Sequence, residues 1–271
     1  MAMNNITLTS GMRSNLFSLQ QTQTMMESTQ TRLSTGKKVN SALDDPINFF
    51  AAQGHTQRAS DLAMRKDEMS EAIQTIKAAD NGISAITDMI ASAKSLAQSA
   101  MATNNTTERA TLSAQYDTMM TQISELRDDS GYKGTYLLDA TQSITVSFDE
   151  SGDSTLAVAG RDGTGALNGT TATTNWAADA DITGDIALLD TARDTLRTSS
   201  KTLSNQLSTI TTRQEFTSKM INTLEDGAAT LVNADLNEEG ANMLMLQTRQ
   251  SLGTTSLSLA SQAAQSVMRL F

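Results

Sequence analysis

Apolar residues recur along the chain at helical spacing in four blocks, interrupted by one stretch of different period. The first block places Met12, Leu16, Leu19, Gln23, Met26, Gln30 and Leu33 at alternating four- and three-residue steps, a heptad seam with two polar interruptions. Gly36 tolerates left-handed backbone, and Lys37 and Lys38 suit the negative end of a helix, so the helix is expected to stop there. The second block starts at Asp45 and Pro46, an N-cap acid followed by the residue that fits the first helical position. It carries Leu62, Met69, Ile73, Ile76, Ile83 and Ile90 on one seam, widened by Ile86, Met89, Ala93 and Leu96. Gly54 and Gly82 are the points where this long helix would break. A further start is expected at Asn105, with Glu108 three residues on in the manner of a capping box. Tyr116, Met119, Ile123 and Leu126 then continue one face until Gly131–Gly134.

Between about Asp139 and Gly184 the period changes. Ile144, Val146 and Phe148 alternate with polar residues, as do Leu156 and Val158, and Gly152 lies in the polar connection, which predicts a β-hairpin. Residues 160–174 are rich in Gly and Thr and read as an exposed loop whose removal would leave assembly intact. Helical period resumes at Ile186 with Leu189, Leu196, Leu203, Leu207, Ile210, Ile221 and Leu224. The last block, from Met243, repeats it with Leu246, Leu257, Ala260, Ala264, Val267 and Phe271, flanked by Leu252, Leu259 and Leu270. The pattern predicts a mainly α protein: a long antiparallel helical bundle and coiled coil formed by the amino- and carboxyl-terminal segments, with a small hairpin-containing central insert. The terminal blocks are apolar over stripes that one partner helix would not cover, so both ends look suited to packing against further copies.

Composition narrows the choice of function. Only 4% of the 271 residues are aromatic and one is proline, which suits narrow seams between long helices better than a deep core. The absence of cysteine excludes disulfides, thiolate metal sites and thiol catalysis, and a single histidine, His55, excludes multi-histidine zinc sites. A formal charge of -10 opposes binding to nucleic acid or an anionic membrane, and no run of 18 apolar residues is present to insert as a helix. Met1–Ser10 has neither a basic region nor an apolar stretch, so no cleaved signal peptide is expected. Ser34-Thr35-Gly36-Lys37 has the Ser-x-x-Lys spacing of some acyl enzymes and the Gly-Lys of a phosphate loop. Thr31 and Lys38 stand where the phosphate loop needs Gly and Ser or Thr, and no companion acyl-enzyme motif follows. Asp44 and Asp45 have no further clustered acids and read as capping residues; Gly160–Gly165 does not lead into a helix. No nucleophile, base and orienter occur together, so no enzymatic activity, cofactor or metal is expected.

The run Arg32-Leu33-Ser34-Thr35-Gly36-Lys37-Lys38-Val39-Asn40-Ser41-Ala42-Leu43-Asp44-Asp45 closely resembles the signature of bacterial flagellins. Asp80-Asn81-Gly82-Ile83-Ser84, Tyr132-Lys133-Gly134-Thr135-Tyr136-Leu137-Leu138 and residues 242–271 resemble it further, in the same order around a central insert. The resemblance implies a structural subunit that leaves the cell through the flagellar type III export apparatus and polymerises beneath a cap protein into the extracellular filament of the flagellum. It implies an inner coiled-coil layer from residues 1–39 and 233–271, a rod domain from residues 40–140 and 186–232, and an outer insert from residues 141–185. Self-assembly is then expected to involve Leu16, Leu19, Met26 and Leu33 with Leu246, Leu257, Leu259, Ala264, Val267, Leu270 and Phe271, while Gly36, Asn40, Asp44, Asp45 and Pro46 form the helix-cap and turn signature. Besides itself, the expected partners are the filament cap protein, the hook-filament junction proteins, a flagellin export chaperone and the export apparatus. One departure stands out: Pro46 follows the paired acids where flagellins usually have Ala, and Asp-Asp-Pro is more typical of hook-filament junction proteins, which are the alternative reading. A soluble coiled-coil signalling or adaptor rod is a third.

Overall fold

A computed structural model describes residues 10–164, 167 and 170–268, without the side chains of the last two. It contains α1 (Ser10–Thr35), α2 (Pro46–Met101), α3 (Thr106–Asp129), a hairpin of β1 (Ser143–Ser147) and β2 (Thr155–Ala159), then α4 (Asp179–Val232) and α5 (Leu236–Met268). The chain divides into two compact units, residues 58–222 and residues 1–57 with 223–271. No described helix is long and apolar enough to cross a membrane.

In the unit of residues 58–222, α2 and α4 run antiparallel. Lys94 Nζ donates to Asp190 at 2.7 Å, Ser200 Oγ to Asp80 at 2.7 Å, and Gln214 Nε2 to Ser70 Oγ at 2.7 Å, so the paired numbers keep a nearly constant sum. Between them the predicted stripes meet: Met69, Ile76, Ile83, Ile86 and Ile90 are buried, as are Leu189, Leu196, Leu203 and Ile210. Burying a side chain of this kind contributes about 1.5–3 kcal/mol, so this stripe dominates the unit's stability. Helix α3 adds Tyr116, Met120 and Ile123 to the same core. Asn105 is its N-cap and accepts from the backbone N–H groups of Thr107 and Glu108.

The hairpin lies inside this unit. Ile144 pairs with Val158 and Val146 with Leu156; Val146, Val158 and Phe148 enter the core while the alternate residues face outward. The expected insert is therefore continuous with the core.

Four expectations are corrected. Helix α2 passes through Gly54 and Gly82 without a break, because a helical glycine costs only about 1 kcal/mol and packing outweighs that. Helix α4 begins at Asp179 rather than Ile186, with Asp179 and Asp181 at its positive end. Helix α5 begins at Leu236 rather than Met243, since Asp235 Oδ1 accepts from the Asn237 and Glu238 N–H groups and caps a polar first turn. Finally, residues 160–174 are not simply an exposed loop, because Gly163, Thr164, Leu167 and Ala172 are buried. Asp117 anchors that segment by accepting from Ala172 N at 2.6 Å. Beyond it Thr174, Asn175 and Trp176 take positive φ, and the buried carboxylate of Asp185 holds the turn by accepting from Thr173 N, Thr173 Oγ1 and Trp176 Nε1. Trp176 packs on Tyr116 at 5.0 Å. Burial, with Asp185 and Asp117 nearby, pushes the Tyr116 hydroxyl far above its ordinary pKa, so it stays protonated.

Candidate functional site

The residues assigned to self-association lie mostly on α1 and α5, which pack against each other antiparallel. Arg32 Nη1 meets Glu239 Oε1 at 2.9 Å, Gln250 Nε2 donates to Gln23 Oε1 at 3.1 Å, and Asn15 Nδ2 donates to Gly253 O at 3.5 Å. Below the pair, Ala234 N donates to Gly36 O at 2.9 Å, and Lys38 N to Val232 O at 2.8 Å. These contacts set one register from residue 15 to residue 38 against residues 253 to 232.

The α5 side of the seam is a regular heptad. Glu239, Met243, Leu246, Gln250, Gly253, Leu257, Ala260 and Ala264 are protected positions alternating four and three residues apart, with Gly240, Asn242 and Ser261 half-buried beside them. A methyl group at Gly253 would come within 2.5 Å of Leu19 Cδ2, so the missing side chain makes room for Leu19.

On α1 the protected positions at heptad spacing are Met12, Asn15, Leu19, Thr22, Met26, Thr29 and Leu33, with Ser18, Met25 and Arg32 half-buried beside them. Alternate positions thus differ from the sequence expectation: Asn15, Thr22 and Thr29 replace Leu16, Gln23 and Gln30. One residue rotates the side chain by about 100° around a helix, which decides what faces the partner. Thr22 hides its hydroxyl by donating to Ser18 O at 2.8 Å, leaving its methyl group for the seam. That local bond lets Thr22 sit in the seam although it reads as polar in the sequence.

The fates of the eleven assigned residues follow. Leu19, Met26 and Leu33 lie on the protected side of α1 and Leu246, Leu257 and Ala264 on that of α5, with Leu246 buried and the others half-buried. Leu16 and Leu259 lie on outward faces. Leu270, Phe271 and the side chain of Val267 lie outside the described residues. The outward face of α5 carries a second apolar seam: Met245, Leu252 and Leu259, spaced by seven, are 60%, 66% and 61% exposed, with Leu244 beside them. Leu252 and Leu259 are visible in the sequence as flanking residues. Met245 and Leu244, and the 70% exposed Phe17 of α1, are missed there, although the seven-residue repeat was the available signal for Met245.

The cap and turn signature is a second construction. Gly36 has φ +69 and closes α1 by donating to Arg32 O at 2.8 Å, a conformation that a side chain would strain. Asp44 Oδ2 accepts from Asn40 N, Ser41 N and Ser41 Oγ, and Asp45 accepts from Asn48 N at 3.1 Å and Asn48 Nδ2 at 2.6 Å, so that α2 begins at Pro46. The backbone N–H of Ser41 holds Asp44 below the usual carboxylate range, and that of Asn48 does the same for Asp45. Both acids are therefore ionised near neutral pH and committed to the backbone.

The two internal signature runs also have a structural account. A methyl group on Gly82 would lie 2.5 Å from Ser130 Cβ and 2.9 Å from Leu138 Cδ1, so the absent side chain of the first run makes room for the end of the second and for Ser130 ahead of it. Lys133, with φ 48, forms its turn and reaches Glu71 Oε2 at 2.7 Å. The arrangement brings together helix seams, caps and close approaches, which serve packing.

A family model described as the bacterial flagellin N-terminal helical region matches residues 4–143. The chain is 30% identical to the flagellin FljM of Caulobacter vibrioides over the full length of both proteins. It is 26% identical to a flagellin of Brucella melitensis, over 94% of this chain and 95% of that one. Among solved structures, a Bacillus cereus flagellin superposes with a TM-score of 0.49 at 21% identity, covering 55% of this chain and 88% of the other.

Proposed function

The chain belongs to the bacterial flagellin family of structural filament subunits, and from that premise we propose that its α1–α5 pair is the element through which copies associate. One observation carries this reading: α5 buries one heptad seam against α1 and leaves a second, Met245–Leu252–Leu259, in water. A helix with two apolar seams is satisfied only by two partners, and α1 is one of them. Neighbouring subunits supply the other. Helix α1 adds Leu16 and Phe17 to the exposed set, and Val267, Leu270 and Phe271 extend the apolar sequence of the α5 block.

The subunit's work is non-enzymatic self-association into the extracellular filament. Export through the flagellar type III apparatus without a cleaved signal peptide, capture by an export chaperone, growth beneath the cap protein and attachment to junction proteins belong to the same proposal and rest on family membership. Full-length likeness to flagellins leaves the junction-protein alternative unfavoured, in spite of Asp45–Pro46.

The test is seeded growth of purified protein followed by electron microscopy, with a variant truncated after Ala264. Long uniform filaments from the full chain and none from the truncated one, at unchanged helical content, are expected. Truncated protein that grows at the full chain's critical concentration would remove the carboxyl-terminal block from assembly.

A further inference from the structure

Peroxides find few targets on this chain. It has no cysteine, and its single tryptophan, Trp176, is fully buried. Methionine thioethers are therefore the side chains that such reagents oxidise. Of the 15 methionines, three among the described residues are exposed: Met64 at 57%, Met101 at 43% and Met245 at 60%. Met64 and Met101 lie on α2, in the unit of residues 58–222, whereas Met245 stands in the outward apolar seam of α5.

The surroundings of Met245 decide what oxidation does there. Thr248 and Thr255 share its side of α5, one following Met245 and the other Leu252 at helical spacing. Thr248 Oγ1 donates to Leu244 O and Thr255 Oγ1 to Ser251 O, both at 2.9 Å, so their hydroxyl protons are committed to their own helix. What the seam offers a partner is methyl groups and aliphatic carbon. A thioether fits such a surface, being apolar and adaptable in shape. A sulfoxide does not: its oxygen is a strong acceptor, and burial without a donor leaves it unsatisfied. A bond to Arg249, one turn beyond Met245, would instead draw a charge into the contact.

We propose that Met245 is an oxidation site at which a peroxide switches self-association off, because the sulfoxide is excluded from the seam contact that the thioether makes. This rests on the filament reading above and adds a control on it. The sulfur lone pair attacks one peroxide oxygen; the S–O bond forms, the O–O bond breaks, and the other oxygen leaves as water with both protons. The sulfur loses an electron pair and the peroxide gains it. Association acts in the opposite direction: a neighbour seated on the seam covers the thioether, so free subunits are sensitive and polymerised ones are protected. Methionine sulfoxide reductases reverse the change.

The test is partial oxidation of the full-length wild-type protein by a limiting dose of hydrogen peroxide, quenched with catalase. Seeded growth and sedimentation then separate polymer from free subunits, and peptide mass spectrometry reads each sulfoxide in both fractions. The Met245 sulfoxide is expected to be depleted from polymer about ten- to a hundredfold, with the Met64 and Met101 sulfoxides shared evenly. Met245→Leu, which keeps the apolar volume, should remove most of the rise in critical concentration that oxidation causes, while Met64→Leu leaves it in place. Peroxide added after growth should oxidise Met245 more slowly than it does in free subunits, and the oxidised monomer should keep its helicity. Four results overturn the proposal: Met245 sulfoxide entering polymer as readily as the unoxidised chain, undiminished sensitivity of Met245→Leu, equal rates in polymer and free subunit, or lost helicity. Untreated protein that grows no filaments sinks the filament reading and this control together. Filaments that accept the Met245 sulfoxide sink the control alone.

Discussion

Replacing Leu252 and Leu259 together by Ala should separate assembly from folding. Both side chains point away from α1, with 66% and 61% of their surface in solvent. Each substitution removes three carbons, worth about 2.4 kcal/mol on full burial at ~0.8 kcal/mol per methylene. Scaled by the fraction still available to bury, that is about 1.5 kcal/mol each and about 3 kcal/mol per subunit added to the polymer. Ordering of side chains at the contact offsets part of it, so the critical concentration should rise roughly ten- to a hundredfold. The monomer should hardly notice, since exposed substitutions of this kind change stability by about 0.5 kcal/mol or less. Leu246→Ala is the contrasting variant: Leu246 is 5% exposed inside the α1–α5 seam, and its loss should cost about 2–5 kcal/mol in the pair itself. Sedimentation of seeded polymer gives the critical concentration, and circular dichroism of the monomer gives helicity. Equal critical concentrations for wild type and the double variant would refute the outward seam as an assembly surface. A double variant that loses helicity as Leu246→Ala does would refute the division into inward and outward seams.

Three further outcomes are expected. Deleting residues 160–174 should lower the thermal midpoint of the helical transition, because it removes Leu167 and Ala172 from the core and the Asp117 anchor; an unchanged midpoint would return the segment to the status of a free loop. Gly82→Ala should destabilise by about 1–2 kcal/mol, since overpacking against Ser130 and Leu138 outweighs the helical preference for Ala; a higher melting temperature would contradict the close approach. The folded-state pKa of Asp45 lies below its ordinary 3.8, so its stabilisation of the α2 start is complete above that value and is lost as pH falls through the lowered one. Amide exchange at Ile47–Phe50 should therefore quicken in acid, and Asp45→Asn, an equally good cap, should abolish that dependence; acid sensitivity persisting in Asp45→Asn would assign it to another carboxylate.

The local parts of this structure were legible in the sequence, and the long-range parts were less so. Gly36, Asp45 and Asn105 act through bonds within four residues, and a sequence displays such bonds directly. The α5 seam was visible because Leu246, Leu257 and Ala264 repeat its period in apolar residues. The α1 seam was half misread because its alternate positions include Thr22 and Thr29, both buried despite their polarity, and the sequence does not show that the Thr22 hydroxyl turns back on its own helix. Trp176 and Asp185 show the same limit. Nine residues apart, they join in a buried hydrogen bond at 2.7 Å that depends on a left-handed turn no periodicity encodes. The early start of α5 was missed for another reason: its first turn, Leu236–Glu239, is mostly polar and draws its stability from the Asp235 cap rather than from an apolar face.

The central claim is that copies of this chain associate through the outward seam of α5, and helical reconstruction of filaments grown from purified protein, at a resolution that shows side chains, tests it most directly. Met245, Leu252 and Leu259 are expected in contact with neighbouring subunits, while Leu246 and Leu257 remain against α1 of their own subunit. Filaments in which Met245, Leu252 and Leu259 face only solvent, with the contacts between subunits lying elsewhere, would contradict the account.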